Sequence, residues 1–506
     1  MSSKKAVKNT LFSWISLLAT SVLAFVVRTL LIDFLGDDIV GANTTISGTV
    51  NLLSISELGI QTAIVYKMYK PIIDGNIKRQ QELFNLYKVA YRFVGLAILV
   101  IGLCLLPFLP KLVNTVIDMR IIYAAYILQL GVVVITYWLS YYKVLYFTYQ
   151  RQYVCTVVDV ILSILLNIIQ IIVIVATKNY LLYLAVAYAS VIGSYIVIRS
   201  VAKKDYKDIV KRCRVSKDDV RELFKDVKEL MIGQFAGYIY GSTDNLITSY
   251  IFGSITTGLV GNYKMVTNIM RSIMSSLATA VSPTWGNYLN LQEDKAVTKK
   301  YYEAFIFLEY CAGLMLLVPS AILIDDFVTK IWLDDNHMIG TALVYLIVFD
   351  VFMNNLNEPT CVIIRNLGMF RQEKIVTICA ASTNLLSSIG LAWLMGVEGI
   401  YLGTLLAILV YWVMRSYYVN RDCFDKDKGF YVRFWINNII YTATFVIICV
   451  VTRYVVHLLG TGYPIVDFVV RAVIIEVILV LYLIVVWHRT ERFKTLLEMV
   501  KRVLHK

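Results

Sequence analysis

Apolar runs long enough to cross a bilayer alternate with short polar connections along the chain. About 20 consecutive apolar residues span the hydrocarbon core as a helix. At that window the pattern predicts helices near residues 11–35, 40–66, 84–109, 121–146, 153–176, 181–199, 228–252, 258–286, 302–324, 340–364, 375–395, 399–417, 432–456 and 464–487. The first run contains Arg28 and meets no small-residue cleavage site before the second begins, so it is expected to stay as helix 1 rather than leave as a signal peptide. After the last run, RFKTLLEMVKRVLHK puts Phe493, Leu497, Val500 and Leu504 on one face with basic residues opposite, the pattern of an amphipathic helix on a membrane surface.

Polar residues inside these runs are not scattered. At about 100° per residue, Asn43, Ser47, Asn51, Ser54, Glu57 and Gln61 share one side of helix 2, and Lys264, Asn268, Arg271, Ser275 and Ser282 share one side of helix 8. Helix 1 carries Ser13, Ser16, Thr20 and Arg28; helix 5 carries Asp159, Ser163, Asn167 and Gln170; helix 7 carries Gln234, Tyr238, Gly241, Asp244, Asn245 and Thr248. In helix 10, Asp350, Asn354 and Asn357 share a face, and Pro359 removes a backbone hydrogen bond just after Glu358, which marks a hinge, a cavity wall or a packed kink. An ionised side chain at a helix centre costs about 2.5–3.5 kcal/mol on insertion scales, so these stripes are expected to face a water-filled cavity or one another. Two uses of the charges stay open: Arg28 as a ligand lining a path or as a partner of Asp244, and Arg271 as a phosphate-binding guanidinium or as the partner of Glu57 or another acid. Lys264 adds a second cation on the face of Arg271.

The chain also repeats itself. LLIDFLGDDIVGANTT from Leu30 aligns with LITSYIFGSITTGLVGNYK from Leu246, placing Gly36 on Gly253 and, after a short insertion, Gly41 on Gly261. The register continues through Gly95 on Gly313 and through Arg151 and Gln152 on Arg371 and Gln372, at spacings of 217 to 220 residues. The expected fold is therefore all-α and membrane-integral, about 14 transmembrane helices arranged as two pseudo-symmetric six-helix lobes plus a C-terminal helix pair. The expected divisions are an N-terminal lobe over 1–201, a basic linker over 202–227, a C-terminal lobe over 228–420, the helix pair over 421–488 and a basic amphipathic tail over 489–506. Parallel repeats of this kind are a transporter architecture with the path near the midplane at the lobe interface.

Composition agrees. Hydrophobic residues make up 58% and charged residues 16%, against roughly 25% charged in a soluble domain. With the N terminus cytoplasmic, about 39 of the 48 Lys and Arg residues fall on the cytoplasmic side. The net charge of +13 is thus mainly topological, and no soluble basic domain exists to bind nucleic acid. No phosphate loop for ATP appears, and neither the eight cysteines nor the four histidines show metal-ligand spacing. FDKDKG at Phe424 contains an Asp-x-Asp pair, but it sits in a short loop with no nucleotide-binding domain around it and reads as solvated charge. The tyrosine cluster YWLSYYKVLYFTYQRQY is expected to belong mostly to an interfacial aromatic belt, with a minority of rings available to stack on sugars.

The segments VVRTLLIDFLGDDIVGANTT, LLSISELGIQTAIVYKMYKPI and LFNLYKVAYRFVGL resemble, in order and spacing, the opening of bacterial polysaccharide flippases of the Wzx type, members of the multidrug/oligosaccharidyl-lipid/polysaccharide (MOP) superfamily. The resemblance implies a MATE-like fold and a non-enzymatic role: alternating-access translocation of undecaprenyl-pyrophosphate-linked repeat units to the outer leaflet, for O-antigen or capsule. Relatives that flip the peptidoglycan precursor carry arginines on helices 1 and 8 of a cationic cavity, which points to Arg28 and Arg271 as pyrophosphate ligands, with Lys264 from the helix 8 stripe as a third. Glu57, Asp244, Asn51, Asn268, Asn354, Asn357 and Glu358 are then cavity or coupling residues, with no cofactor beyond coupling to Na+, H+ or the membrane potential. Implied partners are membrane lipids, the lipid-linked glycan, a polysaccharide polymerase and other glycan-assembly proteins. An ion-coupled small-molecule or multidrug antiporter of the same superfamily, a flippase for the peptidoglycan precursor and a non-transporting scaffold are the rival readings.

Overall fold

The computed structural model describes residues 20–53, 70–149, 153–213, 216–290, 295–457 and 462–504, together with 64, 67, 68 and 151; side chains of 217–236, 238–240, 279–290 and 499–504 lie outside that description. Among the described residues there is no strand. The long helices are α1 (20–35), α2 (Asp37–Leu53), α3 (Ile77–Leu105), α4 (Met119–Ser140), α5 (Tyr153–Thr177) and α6 (Tyr180–Asp205). The helical stretch Lys217–Asn290 is interrupted at Gly253, which separates α7 (217–252) from α8 (254–290). There follow α9 (Lys295–Asp326), α10 (Thr341–Asn366), α11 (Phe370–Met395), α12 (Val397–Cys423), α13 (Lys428–His457), α14 (Pro464–Tyr482) and the short amphipathic α15 (Glu491–Leu504). Among the described residues, fourteen long helices match the number of predicted spans, and nine stretches are long and apolar enough to cross a membrane. The polar α10 is not one of the nine.

Helices overrun the apolar runs that announce them. A predicted start at 84 becomes Ile77 and one at 302 becomes Lys295. Hydropathy measures the hydrocarbon thickness, whereas a helix ends where its first N–H groups find a cap. Asn76 accepts from Arg79 N at 3.0 Å to start α3, and Asn179 accepts from Leu182 N at 3.1 Å to start α6. The predicted basic linker is largely consumed in this way, by the end of α6 and the first turns of α7. What remains docks on α3, where Gln81 donates to Asp208 O at 2.6 Å and Asn85 donates to Lys211 O at 2.9 Å.

By packing, the chain forms two compact units, one of Leu18–Gly258 and one that includes Leu259–Lys506. Matched positions of the repeat share local geometry. Gly36 ends α1 at φ +84° and Gly253 ends α7 at φ +87°, a left-handed conformation that favours glycine at both matched positions. A Cβ on Gly95 would stand 2.8 Å from Trp138 Nε1 of α4, and one on Gly313 would stand 3.0 Å from Phe352 Cδ2 of α10, so each glycine lets the same pair of helices approach. Arg151 reaches Asp205 at the end of α6 over 3.7 Å, while Gln372 donates to Asp422 at the end of α12 at 3.4 Å. On α12, Gly399 and Gly403 repeat the small-xxx-small spacing that brings membrane helices together. Their missing Cβ atoms make room for Leu391 O and Ser388 N of α11.

The C-terminal helices are bound to α9 rather than trailing. Tyr310 of α9 stacks on Tyr441 of α13 at 4.4 Å between ring centres, and its hydroxyl bonds Thr444 at 2.8 Å and Tyr482 at 3.0 Å. Arg492 of α15 bonds the Tyr441 hydroxyl at 3.0 Å and Glu303 of α9 at 3.5 Å. A charge-assisted bond with little exposure contributes about 1.5–3 kcal/mol. Arg492→Ala is accordingly expected to lower the Tm of detergent-solubilised protein by a few degrees, and an unchanged Tm would show that α15 contributes nothing to α9.

Candidate functional site

In the unit Leu18–Gly258, the start of α2 is tied down at several points. Asp38 accepts from Thr115 Oγ1 at 2.6 Å, from Val116 N at 3.2 Å and from the hydroxyl of Ser254, whose own N–H donates to Asn114 O at 3.1 Å. One turn on, α2 crosses the first turn of α8 so closely that a Cβ on Gly41 would lie 1.7 Å from Ser254 O. Arg28 of α1 donates from Nη2 to Gly258 O at 3.1 Å, so its described bond goes to the backbone of α8. Asp244 is buried on α7.

The polar stripe of α2 is held from two sides. Asn43 accepts from Gln129 of α4 and from the Tyr180 hydroxyl of α6, each at 3.0 Å, and Ser47 donates to Gln129 Oε1 at 3.1 Å. Asn43, Ser47 and Asn51 then share with Gly241, Ser242 and Asn245 of α7 a cavity of about 330 Å³. Every one of those side chains is polar or absent, which suits water, hydroxyls and sugar rather than hydrocarbon. Ser13, Ser16, Ser54, Glu57 and Gln61, and the side chains of Gln234, Tyr238 and Ser282, lie outside the described residues.

In the unit of Leu259–Lys506, Arg271 of α8 meets Asp350 of α10 at 3.1 Å. The Arg271 side chain is 49% exposed and Asp350 only 15%, so the acid is fixed and the cation keeps an open side. Asn354 fixes it further, donating from Nδ2 to Asp350 Oδ1 at 3.1 Å and to its carbonyl at 3.0 Å. Asn268 and Ser275 are exposed beside Arg271, while Lys264 sits 4.9 Å from the centre of the Tyr401 ring. Asn357 is buried, and Glu358 pairs with Arg365. Helix α10 runs through Pro359 as one helix. Of the sequence-derived set, the structure brings Arg271 and Asn354 together around Asp350, and Asn51 into the α2–α7 cavity; Lys264, Asn357 and Glu358 have surroundings of their own.

Other features escaped the sequence. Tyr137, Tyr141, Tyr142 and Tyr146 are buried, with Tyr141 against Phe84 at 5.7 Å and Tyr146 against Tyr206 at 5.4 Å, so these rings pack the interior of their unit instead of forming a belt. A cleft of about 360 Å³ gathers Lys67, Lys70, Asp74, Asn76 and Arg79 before α3. The aspartates of FDKDKG are taken up by α9: Asp425 pairs with Lys295, and Asp427 accepts from Lys299 at 2.6 Å and from Phe430 N at 3.0 Å. The Lys299 ammonium holds the Asp427 carboxyl below the usual carboxylate range. Glu309 is fully buried on α9, a lone acid in the apolar run FIFLEYCAGLML that belongs to no stripe.

Comparison with known proteins bears on what this arrangement serves. Residues 6–288 match the family described as polysaccharide biosynthesis protein. No curated protein matches the sequence. Among solved structures, the lipid II flippase MurJ in its inward closed conformation is similar with a TM-score of 0.69 at 11% identity, over 93% of this chain and 98% of that one. An inward-facing multidrug resistance MATE transporter of the MOP superfamily is similar with a TM-score of 0.58 at 13% identity, over 82% and 99%. A point variant of the Vibrio cholerae MATE transporter VcmN gives 0.54 at 12% identity, over 85% and 100%. The chain belongs to the polysaccharide biosynthesis protein family and is a multi-pass membrane protein with the fold of MOP superfamily transporters.

Proposed function

We propose that the protein is a flippase that moves undecaprenyl-pyrophosphate-linked oligosaccharide repeat units from the inner to the outer leaflet of the bacterial cytoplasmic membrane, for assembly of a surface polysaccharide. The observation that carries this reading is the pair of Arg271 and Asp350 on a polar helix face, in a chain of the polysaccharide biosynthesis protein family. A half-exposed guanidinium held by one carboxylate is neutralised while it waits, and a pyrophosphate with two charged faces displaces that carboxylate because guanidinium binds phosphate bidentately. Arg28 and Lys264 are the further candidate cations for pyrophosphate, each within its own unit. The polar cavity of α2 and α7 suits the glycan, and the polyprenyl tail stays in lipid. Glu57, Asp244 and Glu358 are candidates to balance the cations or to couple transport to Na+, H+ or membrane potential, with both termini in the cytoplasm. Net transport requires the substrate to favour each of two lobe arrangements in turn, since a ligand shifts an equilibrium only by its differential affinity.

Mass spectrometry of polyprenyl-linked oligosaccharides in depleted cells, with a determination of their membrane face, tests this directly. A complete repeat unit accumulating on the cytoplasmic face is the expected outcome and identifies the glycan. No accumulation with surface glycan unchanged removes the flippase reading. The likeness to MATE transporters then makes a small-molecule antiporter the next reading, tested by drug uptake.

A further inference from the structure

The geometry points to Glu309 as a proton-binding site: a carboxyl carried neutral within α9, which gains and loses one proton as the protein works. The step to transport rests on the flippase reading; the protonation itself does not.

Glu309 has no exposed surface, and neither carboxylate oxygen has a hydrogen-bond partner. It lies in the middle of a stretch long and apolar enough to cross a membrane, Lys295–Trp332. The groups around it are accounted for, helix by helix. On α10, Asn355 gives its amide to the Glu309 backbone carbonyl at 2.7 Å and is the polar group beside the carboxyl, while Glu358, the acid within electrostatic reach, is paired with Arg365. On α13, Arg433 is turned to Glu303 at 3.4 Å, and Tyr441 and Thr444 serve Arg492 and Tyr310. On α14, Tyr482 bonds Tyr310. On α15, Arg492 is turned to Glu303. Among the described residues, then, each cation presented to α9 at this level is already committed to another acid.

An ionised carboxylate with no cation, buried in the packed protein interior with only the Asn355 amide beside it and a second acid nearby, is far costlier than the neutral acid. In this conformation Glu309 therefore holds its proton. The chemistry is one O–H bond: water on one side supplies the proton, the carboxylate oxygen binds it, and water on the other side takes it back when the surroundings of α9 open. Glu303, six residues earlier on the same helix, has by contrast two arginines beside it.

The test begins with infrared difference spectroscopy of the purified protein in lipid vesicles during an acid-to-alkaline pH jump. A protonated-carboxyl C=O band should fall as the pH rises, and that component should be missing in Glu309→Gln, whose amide keeps the shape of the acid. Glu309→Asp should retain a band at a displaced frequency. Identical band changes in the wild type and Glu309→Gln overturn the proposal. The second arm follows accumulation of lipid-linked oligosaccharide in cells while external pH is varied, at equal protein abundance. Loss of the pH response in Glu309→Gln supports coupling, and an unchanged response overturns it. If the band behaves as expected but wild-type cells show no flipping, the flippase reading fails and the proton site stands.

Discussion

Arg271→Ala is expected to abolish flipping while leaving protein abundance unchanged. The guanidinium makes a charge-assisted bond to a fixed carboxylate at 3.1 Å and is half exposed on its other side, so its removal leaves Asp350 still braced by Asn354. Charge-assisted bonds contribute about 1.5–3 kcal/mol each, which corresponds to a loss of roughly tenfold to more than a hundredfold in substrate affinity for one lost bond, and more for a bidentate contact. Asp350→Asn separates the two uses of the pair. If Arg271 serves only to hold α8 to α10, both substitutions weaken the protein alike. If Arg271 binds pyrophosphate, Asp350→Asn frees the cation and flipping persists or binding tightens. Accumulation of the repeat unit on the cytoplasmic face, measured beside an immunoblot for abundance, reads both variants, and full activity of Arg271→Ala would remove the phosphate assignment.

The largest effect on stability is expected at Gly41. A methyl group there meets the backbone carbonyl of Ser254 at 1.7 Å, and a backbone oxygen cannot rotate out of the way as a side chain would. Overpacking typically costs about 1–3 kcal/mol and occasionally more; Gly41→Ala belongs at or above the top of that range, because the backbones of Gly41 and Ser254 must move apart. Gly48, two turns along the same helix, has nothing within 4 Å of its missing Cβ. There alanine is expected to be neutral or to stabilise by up to about 1 kcal/mol through helix propensity alone. Thermal unfolding of the two variants side by side gives the comparison, and equal Tm values would mean that the close crossing is not part of the folded protein.

Much of this fold was legible because membranes impose simple rules. Hydrocarbon thickness sets the apolar runs, and the matched glycines Gly36 and Gly253 turned out to share an unusual backbone angle as well as a place in the repeat. The ends of helices were less legible, since Asn76 and Asn179 act through single capping bonds that hydropathy does not register. Partners were least legible of all. Asn43 finds Gln129 and Tyr180, and Arg271 finds Asp350, across sequence separations of 79 to 137 residues. The tyrosines of helix 4 show the same limit: a ring facing headgroups and a ring facing another helix have identical local sequence. Periodicity reveals stripes, and Glu309, standing alone, is invisible to it.

The clamp on Glu303 also fixes an order of events during synthesis. Arg433 is available once α13 has been made, but Arg492 is translated 189 residues after Glu303. Until residues 487–493 have been made, α9 carries an acid with half its partners, and the ring cluster of Phe307, Tyr310 and Tyr441 lacks Trp487 and Phe493. Domains generally fold as they emerge, N-terminal parts first; here α9 waits for α15. Chains that stop before α15 therefore leave the Glu303 face of α9 and its ring cluster uncovered.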